Sequence, residues 1–381
     1  MLIFKYFQNF LNFKFYLDFP RKKKILIFDD VEMDEVKDTF DKYEYTELNL
    51  REKFNIFILL KIIFKLKKIN IHEYTLEFIK SYSPKLIISV VEHNISFYHL
   101  KEKFPTIIFI MVQNGMRSKN FDIFDNLKKE NKKLFIDHFF LFDELIAKEY
   151  KKYINFKTHV VGSFRSNCVR INNRIKYKKS LLFISQSPNK PFVYKKKLIT
   201  EKNYKNFWIE ENLLNIIRKY CIKNRITLYI LGRHRDKNFR TREKNFYIDL
   251  LGKDFKFLKA RKKNYSLVDQ YDTIISINST LGYESLARKK KCIFLNNRKI
   301  YGKKISTNLW PLKLNNHGQF YSDNINQKSV YDLLSKNINL NYKEWYKINK
   351  KIASKFQNFD YQNKKFKSLI NYYMEKDKNV Q

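Results

Sequence analysis

Short, nearly unbroken apolar runs rich in branched residues constrain this chain more than any other feature. Lys24-Ile25-Leu26-Ile27-Phe28, Lys85 to Val91, Thr106 to Val112, Ser180 to Gln186, Ile226 to Leu231 and Thr273 to Ile277 are strand-length. They lack the polar–apolar alternation of a half-exposed strand, so they predict strands buried on both faces. Strands of that kind belong to parallel sheets covered by helices. Helical composition recurs between them, at Phe54 to Lys67, His72 to Tyr82, Phe97 to Phe104, Asp143 to Tyr153 and Phe207 to Lys223. The alternation runs through the chain twice, with the polar, basic segment Arg170 to Lys179 as candidate linker. The fold class is therefore read as α/β, with two Rossmann-like domains facing a central cleft. The domains are placed at 1–169 and 170–381. Ser329 to Leu334, Tyr342 to Phe356 and Lys364 to Glu375 read as helices, the C-terminal ones expected to cross back toward the first domain.

The strands end in polar clusters, and ligands of open α/β sheets bind at the carboxyl ends of strands. The richest cluster lies in Val268 to Asn296, read as strand, hydroxyl-rich turn, helix, strand. Ser279 and Thr280 sit where a helix begins, so their hydroxyls and the free N–H groups suit a phosphate. Gly282 would let the backbone come close, and Glu284 in the first turn could accept from sugar hydroxyls. The same residues also fit an N-capped helix, with Glu284 completing a capping arrangement. Arg233-His234-Arg235 follows a strand and precedes a loop. Arginine is scarce here, and Arg233 with Arg235 on one turn can pair with a diphosphate bidentately; a solvated basic loop is the plain alternative.

In the first half, Asp29 ends the first strand, as a cleft residue or as a helix cap. Gln113-Asn114-Gly115 forms a tight turn whose amides can bind sugar hydroxyls. His93 is the general-base candidate, with Glu92 as the acid that could orient it, although adjacent residues on an extended chain point opposite ways. His99 and His138 read as structural.

The chain has 381 residues, enough for two cores, and a net charge of +39 from 77 basic and 38 acidic residues. Most of the basic residues are lysine, and Lys, Asn, Ile, Phe and Tyr are inflated together. That is the mark of an AT-rich coding sequence rather than of a nucleic-acid binder, and no RNA- or DNA-binding signature is present. What remains is a basic surface suited to sugar nucleotides or to the inner face of a membrane. Cys168, Cys221 and Cys292 are scattered, which fits a reducing, cytoplasmic setting and gives no metal-ligand spacing. No Gly-x-Gly-x-x-Gly fingerprint, Walker loop, nucleophile elbow or zinc motif occurs, so neither cofactor nor metal is expected. No stretch reaches the roughly 18 apolar residues of a spanning helix. Phe54 to Leu66 reads as a buried helix in preference to a membrane-surface one.

Two α/β halves, a basic strand end in the second, and Asp272 to Arg288 before a final apolar strand together resemble GT-B-type glycosyltransferases. More narrowly, the chain is similar to surface-polysaccharide and O-antigen biosynthesis proteins of bacteria. The likeness rests on Ile25-Leu26-Ile27-Phe28-Asp29-Asp30, Asn94 to Lys101, Gln113-Asn114-Gly115-Met116-Arg117 and Ser279 to Glu284. It implies a metal-independent transferase using a nucleotide-sugar donor and a lipid-linked or glycan acceptor. Ser279, Thr280, Gly282, Glu284, Arg233 and Arg235 would hold the donor, and Asp29, His93, Gln113 and Asn114 would serve the acceptor side. The same architecture also admits a nucleotide-sugar 2-epimerase, a polyol-phosphate transferase or a non-catalytic assembly partner.

Overall fold

The computed structural model describes residues 14–29, 34–40, 42–50, 53–186, 192–194, 197–199, 209–300 and 303–375. Asp30 lies outside these, as does most of 188–205, which by sequence reads as an irregular basic loop. Two six-stranded sheets carry the molecule. The first comprises β1 (Ile25–Phe28), β2 (Tyr45–Leu48), β3 (Leu86–Ser89), β4 (Ile108–Val112), β5 (Leu134–Leu141) and β6 (Ile154–Val160). Its spatial order is β2-β1-β3-β4-β5-β6, every pair parallel. The second comprises β7 (Tyr177–Ile184), β8 (Thr227–Leu231), β9 (Lys256–Leu258), β10 (Tyr271–Ser276), β11 (Lys291–Leu295) and β12 (Tyr321–Ser322). Its order is β9-β8-β7-β10-β11-β12, again all parallel. Both orders reverse direction at a central strand, which opens a crevice at the carboxyl edge of each sheet.

The continuous apolar runs work as expected, because alternate residues feed opposite cores. In β1, Leu26 and Phe28 join one cluster while Ile25 and Ile27 join another. In β7, Leu181 and Phe183 face one side, and Leu182 and Ile184 the other. Helices cover the faces: α1 (Ile56–Phe64), α2 (Ile71–Tyr82), α3 (Ile95–Lys103) and α4 (Glu144–Tyr150) on the first lobe, then α5 (Glu210–Lys223), α6 (Lys237–Leu251), α7 (Thr280–Ala287), α8 (Gln327–Ile338) and α9 (Tyr342–Ala353) on the second. The last described helix, α10 (Lys364–Glu375), follows the second lobe in sequence. Its Phe366, Ile370 and Met374 pack into the first lobe with Ile25, Phe40, Phe140 and Phe164. The Phe366 ring meets Phe140 and Phe164 edge-on, each at 5.0 Å.

Three expectations change. Arg233-His234-Arg235 precedes not a loop but the 15-residue helix α6, whose N-cap Asp236 accepts from Asn238 and Phe239 N–H. The expected helix to Tyr153 stops at Tyr150, and residues 154–160 form the edge strand β6. Helix α1 is only half a core helix: Ile58 and Ile62 are buried, but Leu60, Ile63 and Phe64 face out. Among the described residues no helix is long and apolar enough to cross a membrane.

Candidate active site

In the first lobe, the loop after β3 splits two neighbours between core and cleft. Glu92 turns inward and is 1% exposed. Its carboxylate accepts from Asn114 N–H (2.9 Å) and Tyr150 O–H (2.8 Å) and faces Arg117 Nη2 at 3.3 Å. Burial raises its pKa, an effect that Arg117 and these donors only partly offset. His93 turns outward, its side chain 53% exposed, with Nε2 2.8 Å from Asp122 Oδ1. Arg117 Nη1 lies 3.0 Å from the same ring nitrogen. The acid that orients His93 is thus Asp122, not Glu92, because the two adjacent side chains diverge. Asp122 also accepts from Ser118 N–H (2.6 Å) and Ile123 N–H (2.7 Å). Burial pushes its pKa up, but His93, Arg117 and those amides outweigh burial and hold it below the usual carboxylate value.

The Gln113 turn serves the protein itself. Gln113 is 2% exposed, with Nε2 donating to the Gly115 carbonyl and Oε1 accepting from Phe142 N–H, both at 2.8 Å. Its amide is therefore not offered to an acceptor, contrary to expectation. Asn114 is partly exposed and spends its backbone N–H on Glu92. A Cβ at Gly115 would press on both Thr280 Oγ1 and Arg117 Nη2, each at 3.2 Å. Met116 N–H then donates to Thr280 Oγ1 at 3.1 Å. The two sequence motifs, one per lobe, meet at this point. Asp29 ends β1 in the left-handed region (φ 56°) that Asp tolerates better than most residues, and is 4% exposed. It stands at the expected strand end, with its side chain buried rather than presented to open solvent.

In the second lobe the crevice lies between β7 and β10. Asn278 N–H donates to Gln186 Oε1 at 3.1 Å, and Arg298 Nη1 donates to Asn278 Oδ1, also at 3.1 Å. Arg298 is 7% exposed, and burial, offset partly by Glu210 and reinforced by nearby Arg233, pulls its pKa down to about 10. Glu210 is buried beneath, accepting from Gln186 N–H (2.9 Å) and Tyr247 O–H (2.7 Å). Glu243 fixes the arginine loop by accepting from Arg233 N–H (2.9 Å) and His234 N–H (3.2 Å). Arg233 and Arg235 are themselves exposed. Arg233 and Thr280 share one sheet edge, with Arg298 beside both Arg233 and Asn278. Arg235 lies further out, near Lys262, which bridges to Asp34 of the first lobe at 2.5 Å.

Helix α7 has Ser279 as N-cap, but with no side-chain cap bond; Ser279 N–H instead donates to Ser276 Oγ at 3.1 Å. The capping arrangement is absent: Gly282 N–H donates to the Ser279 carbonyl at 2.9 Å, and the amides of Thr280 and Leu281 start the helix without a side-chain cap. Glu284 is neither cap partner nor open cleft residue. It is 6% exposed in the seam between lobes, hydrogen-bonded by Ser163 Oγ and by Tyr265 O–H (3.0 Å). Burial raises its pKa against those donors. Gly282 serves the sheet, not a ligand: a Cβ there would collide with the Ser276 side chain and press on Phe294. Asp122, Arg117, Gln186 and Arg298 are the site residues that sequence reasoning missed. Two of them are arginines, in a chain where that residue is uncommon.

Among the described residues no group of His, Cys, Asp and Glu is arranged to hold a metal ion. A family described as putative O-antigen biosynthesis protein matches residues 110–374. No curated protein matches the chain. Among solved structures, S. aureus MnaA with UDP is 12% identical with TM-score 0.53, covering 93% of this chain and 97% of that one. Anabaena HepE in complex with UDP and glucose is 11% identical with TM-score 0.50, covering 92% and 99%. These likenesses show the fold, the GT-B arrangement of two Rossmann-like domains.

Proposed function

The chain belongs to the O-antigen biosynthesis protein family, and on that premise we propose that it is a glycosyltransferase of surface-polysaccharide assembly. The donor is a nucleotide-sugar and the acceptor a lipid-linked or growing glycan, met at the cytoplasmic face of the membrane. The observation that carries this reading is the convergence of the two lobes. An exposed histidine with a carboxylate partner ends one sheet edge, and an uncapped helix start with buried and exposed arginines ends the other.

In this reading His93 takes the proton of the acceptor hydroxyl as its oxygen attacks the anomeric carbon. The bond from that carbon to the diphosphate breaks, and the nucleoside diphosphate leaves. Asp122 holds the ring and stabilises the imidazolium that forms. The charge left on the diphosphate faces the Thr280 amide at the start of α7, with Arg298 and Arg233 alongside, and needs no metal for its neutralisation. UDP in the MnaA and HepE structures makes UDP-sugars the first donors to try.

The test is calorimetric titration across a panel of sugar nucleotides, then mass spectrometry of products with and without acceptor glycolipids. Binding of one donor, and a glycosylated product that His93→Ala abolishes, are expected. A changed donor sugar without any acceptor would mean an epimerase instead, and binding of no donor would overturn the proposal.

A further inference from the structure

The flank of the first lobe carries an apolar strip that the cleft does not use. It runs along the outer face of α1 and through the loop into α2. Leu60 is 40% exposed, Ile63 48%, Phe64 82%, Leu66 95%, Ile69 50% and Ile71 58%. Leu17 and Phe19, at 68% and 66%, extend it. They are held there because Asn55 Nδ2 donates to the Asp18 carbonyl at 2.7 Å and the Phe19 ring meets Phe57 edge-on at 5.5 Å. Exposed apolar residues scattered singly need no explanation, but a contiguous strip marks an interaction surface. Phe64 and Leu66 stand out from the surface rather than line a groove, which suits insertion more than reception of a peptide.

Lysines border the strip. Lys53, Lys65, Lys67 and Lys68 are exposed and Lys61 partly so. Lys65 is balanced by Glu77 and Lys67 by Glu73, while Lys61 reaches Ser81 Oγ at 3.1 Å. The remaining surplus is positive, as is the whole chain at +39. Protruding apolar side chains ringed by lysine match a bilayer whose acyl boundary accepts the first and whose anionic headgroups attract the second.

We propose that this strip is the surface by which the protein docks on an anionic membrane, with Phe64, Leu66 and Ile69 entering the headgroup–acyl boundary. It gives the membrane-side placement suggested above a definite face, on the lobe that would receive a lipid-linked acceptor. It does not depend on the transfer reaction.

The test is co-flotation of the full chain with vesicles of phosphatidylcholine alone and of phosphatidylcholine with phosphatidylglycerol. Binding to the anionic vesicles, weaker at high salt, is expected. The double variant Phe64→Glu with Leu66→Glu should lose affinity on the order of tenfold or more. Lys53→Glu with Lys68→Glu should lose several-fold and become less salt-dependent. Melting temperature and sugar-nucleotide binding are measured on the same variants and should not change, which separates a failure here from a failure of the transferase reading. The proposal is overturned if wild type ignores anionic vesicles, or if the Phe64/Leu66 variant binds them as wild type does. A dimer that this variant dissociates, without vesicle binding, would instead make the strip a self-association face.

Discussion

Asp122 decides what His93 can do. Its oxygen 2.8 Å from Nε2 fixes the ring. Asp122→Asn keeps only one of the two oxygens that accept from Ser118 and Ile123 N–H, and turnover should fall about 100-fold or more. Donor affinity from calorimetry should stay level while kcat drops. Arg298 makes the complementary case. Arg298→Lys retains charge but loses the planar guanidinium whose Nη1 reaches both Asn278 and Gln186. Donor affinity should weaken by about tenfold or more, read as Kd by calorimetry. Asp143 offers a pH test away from the cleft. Burial lifts its pKa from 3.8 to about 6, against hydrogen bonds from Ile146 and Leu145 N–H. Between those values the folded state binds the extra proton, so Asp143's contribution to stability falls as pH rises through the window. Above pH 6 the full cost, on the order of 3 kcal/mol, applies. Asp143→Asn should therefore be more stable than wild type at pH 7, and urea midpoints should converge near pH 4.

At the scale of elements, what could be read in advance follows from where burial leaves a pattern. The strands buried on both faces, β1, β3, β4, β7, β8, β10 and β11, advertise themselves as apolar runs. Edge strand β6 reads as a strand only at its His159-Val160 end: Ile154 is buried, but the residues after it alternate or face solvent. Helix α6 hides for the opposite reason. Only Glu243, Tyr247 and Leu251 are buried along it, so a mostly charged surface left too little periodicity to find. The site shows the same split. His93, Arg233 and Ser279 were visible because they end recognisable strands, whereas Asp122 and Arg298 reach the cleft from loops whose paths only tertiary packing sets. Gly282 was visible for the wrong reason. Gly282→Ala should force α7 away from β10 and cost about 1–3 kcal/mol, measured by chemical denaturation. If the glycine served only ligand approach, stability would not change.

Across the whole molecule, the lobes are pinned by a buried arginine. Arg288 is 0% exposed and pairs with Asp269 through Nε at 2.9 Å and Nη2 at 2.5 Å. Its remaining donors hold the carbonyls of Val169 (2.9 Å) and Arg170 (3.0 Å), in the linker between lobes. Arg288→Met strands Asp269 in the interior and should cost about 3–5 kcal/mol. Adding Asp269→Leu should recover much of that loss in denaturation midpoints. The chain crosses the seam a second time where Asn363 Nδ2 donates to the Phe164 carbonyl (3.1 Å) and Asn167 Nδ2 donates to Asn363 Oδ1 (2.8 Å). That return delivers α10 to the back of the first sheet. During synthesis the ribosome makes the first lobe before the second, yet one layer of its wall is encoded after the second lobe. The nascent first lobe must therefore wait, with an apolar face uncovered, until α10 has been translated.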